Sequence, residues 1–110
     1  MRAALVPLYA LLSLVSLVAT WSHNIAFMKE AGEVSALGFI RACFVNHASS
    51  SITIDIGLVS LAAFVFMGVE ARRLGIRHVW VYMVLSLLIA VSVMFPLFLI
   101  ARERRLAAKA

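Results

Sequence analysis

The stretch VWVYMVLSLLIAVSVMFPLFLIA, residues 79–101, runs for 23 residues without a charge. A hydrocarbon layer about 30 Å thick needs about 20 helical residues at 1.5 Å each, so this window, read as one helix, is long enough to cross it. Trp80 and Tyr82 open it with aromatics that favour a membrane interface. Two more windows lie upstream. Ala3 to Trp21 is uncharged over 19 residues, and Ile52 to Val69 holds one charge, Asp55, in 18. The pattern predicts an all-α membrane protein with three transmembrane helices in a single domain, at about 3–21, 52–70 and 79–101. A connecting segment, 22–51, and a basic C-terminal tail, 102–110, complete it.

Composition supports lipid as the solvent. Hydrophobic residues make up 65% of the 110 and charged residues 14%, against roughly 45–50% and 25% in soluble domains. A soluble domain this small has too much surface for its volume to hide that much apolar area. Cys43 is the only cysteine, which excludes an intrachain disulfide framework. The first window exceeds the roughly 7–15 residues of a signal-peptide core, so it reads as a retained helix.

The second and third windows are joined by a short link. Arg72 and Arg73 suit the last turn of a helix, and Gly75 suits a left-handed cap. So few residues predict an antiparallel hairpin. Between the first and second windows, Val34 to Asn46 is too short to span and reads as an interfacial or re-entrant segment. Pro96 predicts a bend in the third helix, because its missing N–H frees the Ser92 carbonyl.

The net charge is +5. Its basic clusters flank apolar runs with no aromatic stacking platform between them, which favours phospholipid headgroups over nucleic acid. With three spanning helices, Arg2, Arg72, Arg73 and Arg77 fall on one side. Lys29, Arg41, Arg102, Arg104, Arg105 and Lys109 fall on the other. Four against six barely chooses an orientation, and dual insertion is one way to reconcile it.

Asp55 stands out because a carboxylate inside a span costs about 2.5–3.5 kcal/mol at the centre and less near an end. With Ser51 as N-cap it is a first-turn carboxylate favoured by the helix dipole, and Arg102 on the same side could reach it. The sharper reading is a shallow polar pocket of Asp55, His23, Asn46 and Thr53. Glu70, about 22 Å further along the same helix, belongs to an interfacial charge cluster with Arg72, Arg73 and Arg77. Arg102, Arg104 and Arg105 form the basic tail. Ala10, Ser13, Ser16 and Thr20 give the first helix a small-residue face for packing. Walker, HExxH, CxxC and G-x-S-x-G motifs are missing, and no metal site or cofactor is expected.

Three stretches combine into a family pattern: Asn46-His47-Ala48-Ser49-Ser50-Ser51-Ile52-Thr53-Ile54-Asp55, Glu70-Ala71-Arg72-Arg73-Leu74-Gly75, and Phe95-Pro96-Leu97-Phe98-Leu99 with Arg102-Glu103-Arg104. Together they resemble the small bacterial membrane proteins grouped as domain of unknown function 2834, over Trp21 to Arg105. The resemblance implies three helices in a bacterial inner membrane and carries no activity.

Small size, bare helices and no catalytic constellation point to a non-enzymatic accessory or docking subunit in the cell membrane. Its expected partners are membrane lipids and another membrane protein or a second copy of itself. A proton-coupled transport oligomer using Asp55 is one alternative. A membrane enzyme or electron-transfer subunit handling a quinone, isoprenoid or haem is the other.

Overall fold

The structure, a computed structural model, describes residues 2–32 and 35–109, with side chains from residue 4 to residue 108 within those ranges. It is helical, and no strand occurs among the described residues. The order is α1 (Arg2–Ala31), α2 (Ala36–Ala42), α3 (His47–Leu74), α4 (Val79–Leu88) and α5 (Val91–Lys109). Two of these, α1 and α3, are long and apolar enough to cross a membrane.

Both long helices extend past their apolar windows. α1 continues ten residues beyond Trp21, and Phe27 near its end meets Phe39 of α2 edge-on, with ring centroids 5.6 Å apart. The N-cap of α3 is Asn46, not Ser51. Its side chain accepts from the Ser49 amide at 2.8 Å, and the Ser49 hydroxyl accepts from the Asn46 amide. This reciprocal capping box satisfies two otherwise orphaned donors and starts the helix one turn earlier. Of the expected connecting segment 22–51, residues 22–31 extend α1 and 47–51 open α3. The described part of the expected interfacial segment Val34–Asn46 carries the two-turn helix α2, capped by the Ser35 hydroxyl on the Gly38 amide. Val34, where that segment is expected to begin, lies outside the described residues.

The third window is not one helix. α4 ends at Leu88, the chain turns at Ile89–Ala90, and α5 comes back beside α4. Tyr82 of α4 meets Phe98 of α5 edge-on at 5.5 Å, and Arg105 donates to the Leu74 carbonyl next to the start of α4. Pro96 sits within continuous helix, so the break lies upstream of the proline. Ile89, Val91 and Val93 are β-branched and weaken the local helix.

Several of the backbone groups at the break find partners. The Ile89 amide donates to the Leu85 carbonyl at 2.7 Å, and the Ala90 carbonyl accepts from the amides of Val93 and Met94. The Ile89 carbonyl accepts from the Trp21 indole N–H at 3.0 Å. One turn on, the Val93 carbonyl accepts from the buried Ser13 hydroxyl at 2.8 Å. The two helices run antiparallel. Of the small-residue face of α1, Ser13 is buried against α5, Ser16 and Thr20 are half-buried, and Ala10 is exposed.

α5 runs parallel to α3. Phe66 meets Phe95 and Phe98, Glu70 meets Arg102, and Leu74 meets Arg105. α5 thus lies between α1 on one side and α3 with α4 on the other. The core of Met67, Ala71 and Phe98 is concentrated at the Gly75 end of the molecule, with Phe64, Ile76, Val79, Tyr82, Met83 and Phe95 around it. At the opposite end, the first half of α3 packs against little: Ile52, Ile54, Ile56, Leu58, Val59 and Leu61 are all more than half exposed.

Candidate functional site

Because α5 returns, the two strong basic clusters share one end. Arg72, Arg73 and Arg77 lie where α3 passes into α4, and Arg102, Arg104 and Arg105 lie beside them on α5. Lys29 and Arg41 lie at the other end, on α1 and α2. The near-balance expected from three spanning helices put these clusters at opposite ends, whereas the structure brings them to one end.

Glu70 organises the basic end. It is buried, and Arg73 grips it with a two-pronged fork, Nε to Oε1 at 2.8 Å and Nη2 to Oε2 at 2.9 Å. The Arg102 Nε donates to Oε2 from across the helix interface. Arg102 also lies over the Phe66 ring, 5.6 Å from its centroid, and contacts buried Glu103 at 3.5 Å. The same arginine cannot also serve Asp55, so the contact expected between them is absent. α5 runs parallel to α3, which puts Arg102 about 15 residues, or roughly 22 Å, along α3 from that carboxylate.

Just beyond, α3 stops on Gly75, whose φ of 71° is left-handed. The amides of Gly75 and Ile76 both return to the Ala71 carbonyl, and Arg105 takes the Leu74 carbonyl at 3.0 Å. This closure satisfies carbonyls that a helix end leaves open. An open cavity of about 670 Å³ lies against it, between the link and α5, and includes Arg77, Arg104 and Arg105 in its wall.

The four residues of the expected polar pocket have separate local settings. Asn46 is the exposed cap of α3. The Thr53 hydroxyl donates to the Ser49 carbonyl at 2.7 Å, with the Cys43 carbonyl 3.0 Å away, and so ties the start of α3 to the end of α2. His23 is an exposed residue on α1. Asp55 is exposed on α3 among the unpacked apolar residues. A second cavity, of about 430 Å³, sits under the Ile89 turn against Trp21, Asn24, Phe27 and Phe39, and none of the four lines it. Among the described residues, no three His, Cys, Asp or Glu side chains gather as metal ligands would.

These features define a small all-helical protein with two helices apolar enough to span a membrane, an arginine-rich end and a folded-back helix pair. The chain belongs to the family described as protein of unknown function DUF2834, which matches residues 8–104. No curated protein and no solved structure matches it.

Proposed function

We propose that this is a bilayer-embedded, non-enzymatic docking subunit with its arginine-rich end in the cytoplasm. α1 and α3 span in opposite directions. The pair α4 and α5 enters from the cytoplasmic side and returns to it. Six arginines at one end against Lys29 and Arg41 at the other give an orientation bias of the kind that sets membrane topology. A turn at membrane depth requires its backbone groups to be satisfied within the protein, and the bond from Trp21 to the Ile89 carbonyl and that from Ser13 to the Val93 carbonyl contribute to this.

The observation that carries docking is Asp55. It lies eight residues, or about 12 Å, inside α3, on a half-helix whose large apolar side chains are more than half exposed. A carboxylate facing lipid is costly, and such residues pair or face a cavity. A second membrane protein, or a second copy of this chain, that brings a donor to Asp55 removes that cost. The test is a photo-crosslinking residue at Leu58 or Val59 in native membranes. A discrete protein adduct that disappears in Asp55→Asn supports docking; adducts with lipid alone reject it.

A further inference from the structure

The cavity at the arginine-rich end has a chemistry that the docking reading leaves unused. Its lining includes three arginines, Arg77, Arg104 and Arg105, together with Tyr82, Leu97 and Ile100. No acidic side chain lines it. The two nearby carboxylates, Glu70 and Glu103, are buried and turned to Arg73 and Arg102. Arg105 spends its Nε on the Leu74 carbonyl, which leaves donors of its five for another acceptor. Arg77 and Arg104 make no hydrogen bond or ion pair with any other described residue.

Three positive groups beside an apolar wall suit an amphiphile with an anionic head. We propose that this groove holds the phosphate of an anionic glycerophospholipid between Arg77, Arg104 and Arg105, with an acyl chain along Leu97 and Ile100. Basic pockets between membrane helices on the cytoplasmic side are recognised sites for such headgroups, and guanidinium groups match phosphate geometry with paired donors. The Gly75 and Ile76 amides are committed to Ala71, so selectivity for the phosphate falls to the arginine side chains. The site rests on the bilayer placement proposed above and is independent of docking through Asp55.

Native mass spectrometry of the full-length protein released from detergent tests it, with phosphatidylglycerol, phosphatidylcholine or inorganic phosphate added. The parent should prefer phosphatidylglycerol over phosphatidylcholine by roughly tenfold or more. Arg77→Gln with Arg104→Gln should erase that preference while helical circular dichroism is kept. Arg72→Gln, on the same end but outside the groove, should leave it intact. Equal binding of both lipids by the parent overturns the proposal. So does an equal loss in Arg72→Gln, which marks a diffuse surface charge, or displacement of the lipid by inorganic phosphate, which marks a free-phosphate site. Retention in alkali-washed membranes reports embedding separately, so an embedded protein without lipid preference sinks this site alone.

Discussion

The Trp21 indole N–H donates to the Ile89 carbonyl across 68 residues of sequence, at the point where α4 gives way to α5. In the bilayer placement proposed above, loss of that donor leaves the Ile89 carbonyl without water to replace it. Trp21→Phe keeps an aromatic ring but removes the N–H donor together with part of the indole's ring volume. Hydrogen bonds of this type contribute about 0.5–1.5 kcal/mol, and those measured within a bilayer average near the lower figure. Trp21→Phe and Ser13→Ala should each destabilise the protein by about 1 kcal/mol in reversible unfolding from detergent. Their donors lie two turns apart, roughly 12 Å along α1, so the double variant should show nearly the sum. No change in either single variant would mean that the turn holds without α1.

The return of α5 makes a topological prediction. Three continuous spans place the termini on opposite sides, whereas two spans and a folded-back pair place them on the same side. Fluorescent-protein and phosphatase reporters at both termini should each give the cytoplasmic signature. A phosphatase-active C-terminus would reinstate residues 79–101 as a full crossing.

How much of this was legible in the sequence follows from the range of each interaction. Hydropathy is a local sum, so the apolar windows at 3–21 and 52–70 marked the two long helices. The Glu70–Arg73 pair spans three residues and follows from helical spacing. The Asn46–Ser49 capping box is equally local, but an apolar window begins only at Ile52 and hides it. The break at Ile89–Ala90 left no such mark, because neither glycine nor proline stands there. It depends on donors from α1 and on packing between Tyr82 and Phe98. Missing the break put Arg102 beside Asp55, whereas its actual partner is Glu70.

The cross-helix bond from Arg102 to Glu70 should matter more than the fork from Arg73. Arg73 lies on the same helix as Glu70 and its side chain is 55% exposed, while that of Arg102 is 23% exposed and joins α5 to α3. Exposed pairs within one helix contribute little, whereas removing one partner of a buried pair strands the other. Arg102→Ala should therefore lower the melting temperature more than Arg73→Ala. Glu70→Gln should fall at least as far as Arg102→Ala, since it releases both arginines. The reverse order for the two arginine variants would place the anchor within α3 alone.

Gly75 is the tightest steric point at the arginine-rich end. A Cβ there would lie 2.9 Å from Arg105 Nη2, on a residue whose φ is already left-handed. Gly75→Ala should cost about 1–2 kcal/mol for the backbone alone and should push Arg105 off the Leu74 carbonyl. Thermal unfolding measures the first effect. A matching loss in Arg105→Ala that does not add to Gly75→Ala would show the second.

Asp55 separates the structural from the functional reading of α3. Asn46 caps the helix two turns earlier, so Asp55 is not needed to start it, and Arg102 is occupied at the far end. Asp55→Asn should therefore leave helical content, membrane insertion and melting temperature at parent values. Asp55→Leu should insert at least as readily, because it replaces a costly charge with an apolar group. Neither change disturbs the packed core around Met67 and Phe98, which lies at the other end of α3. A partner that meets the carboxylate with a cation loses that pair in both variants. Its adduct with the Leu58 crosslinker should then vanish although the protein is folded and inserted. A variant that keeps the full adduct would show that the carboxylate is tolerated by lipid, and docking through this half of α3 would have to rest on apolar contacts alone.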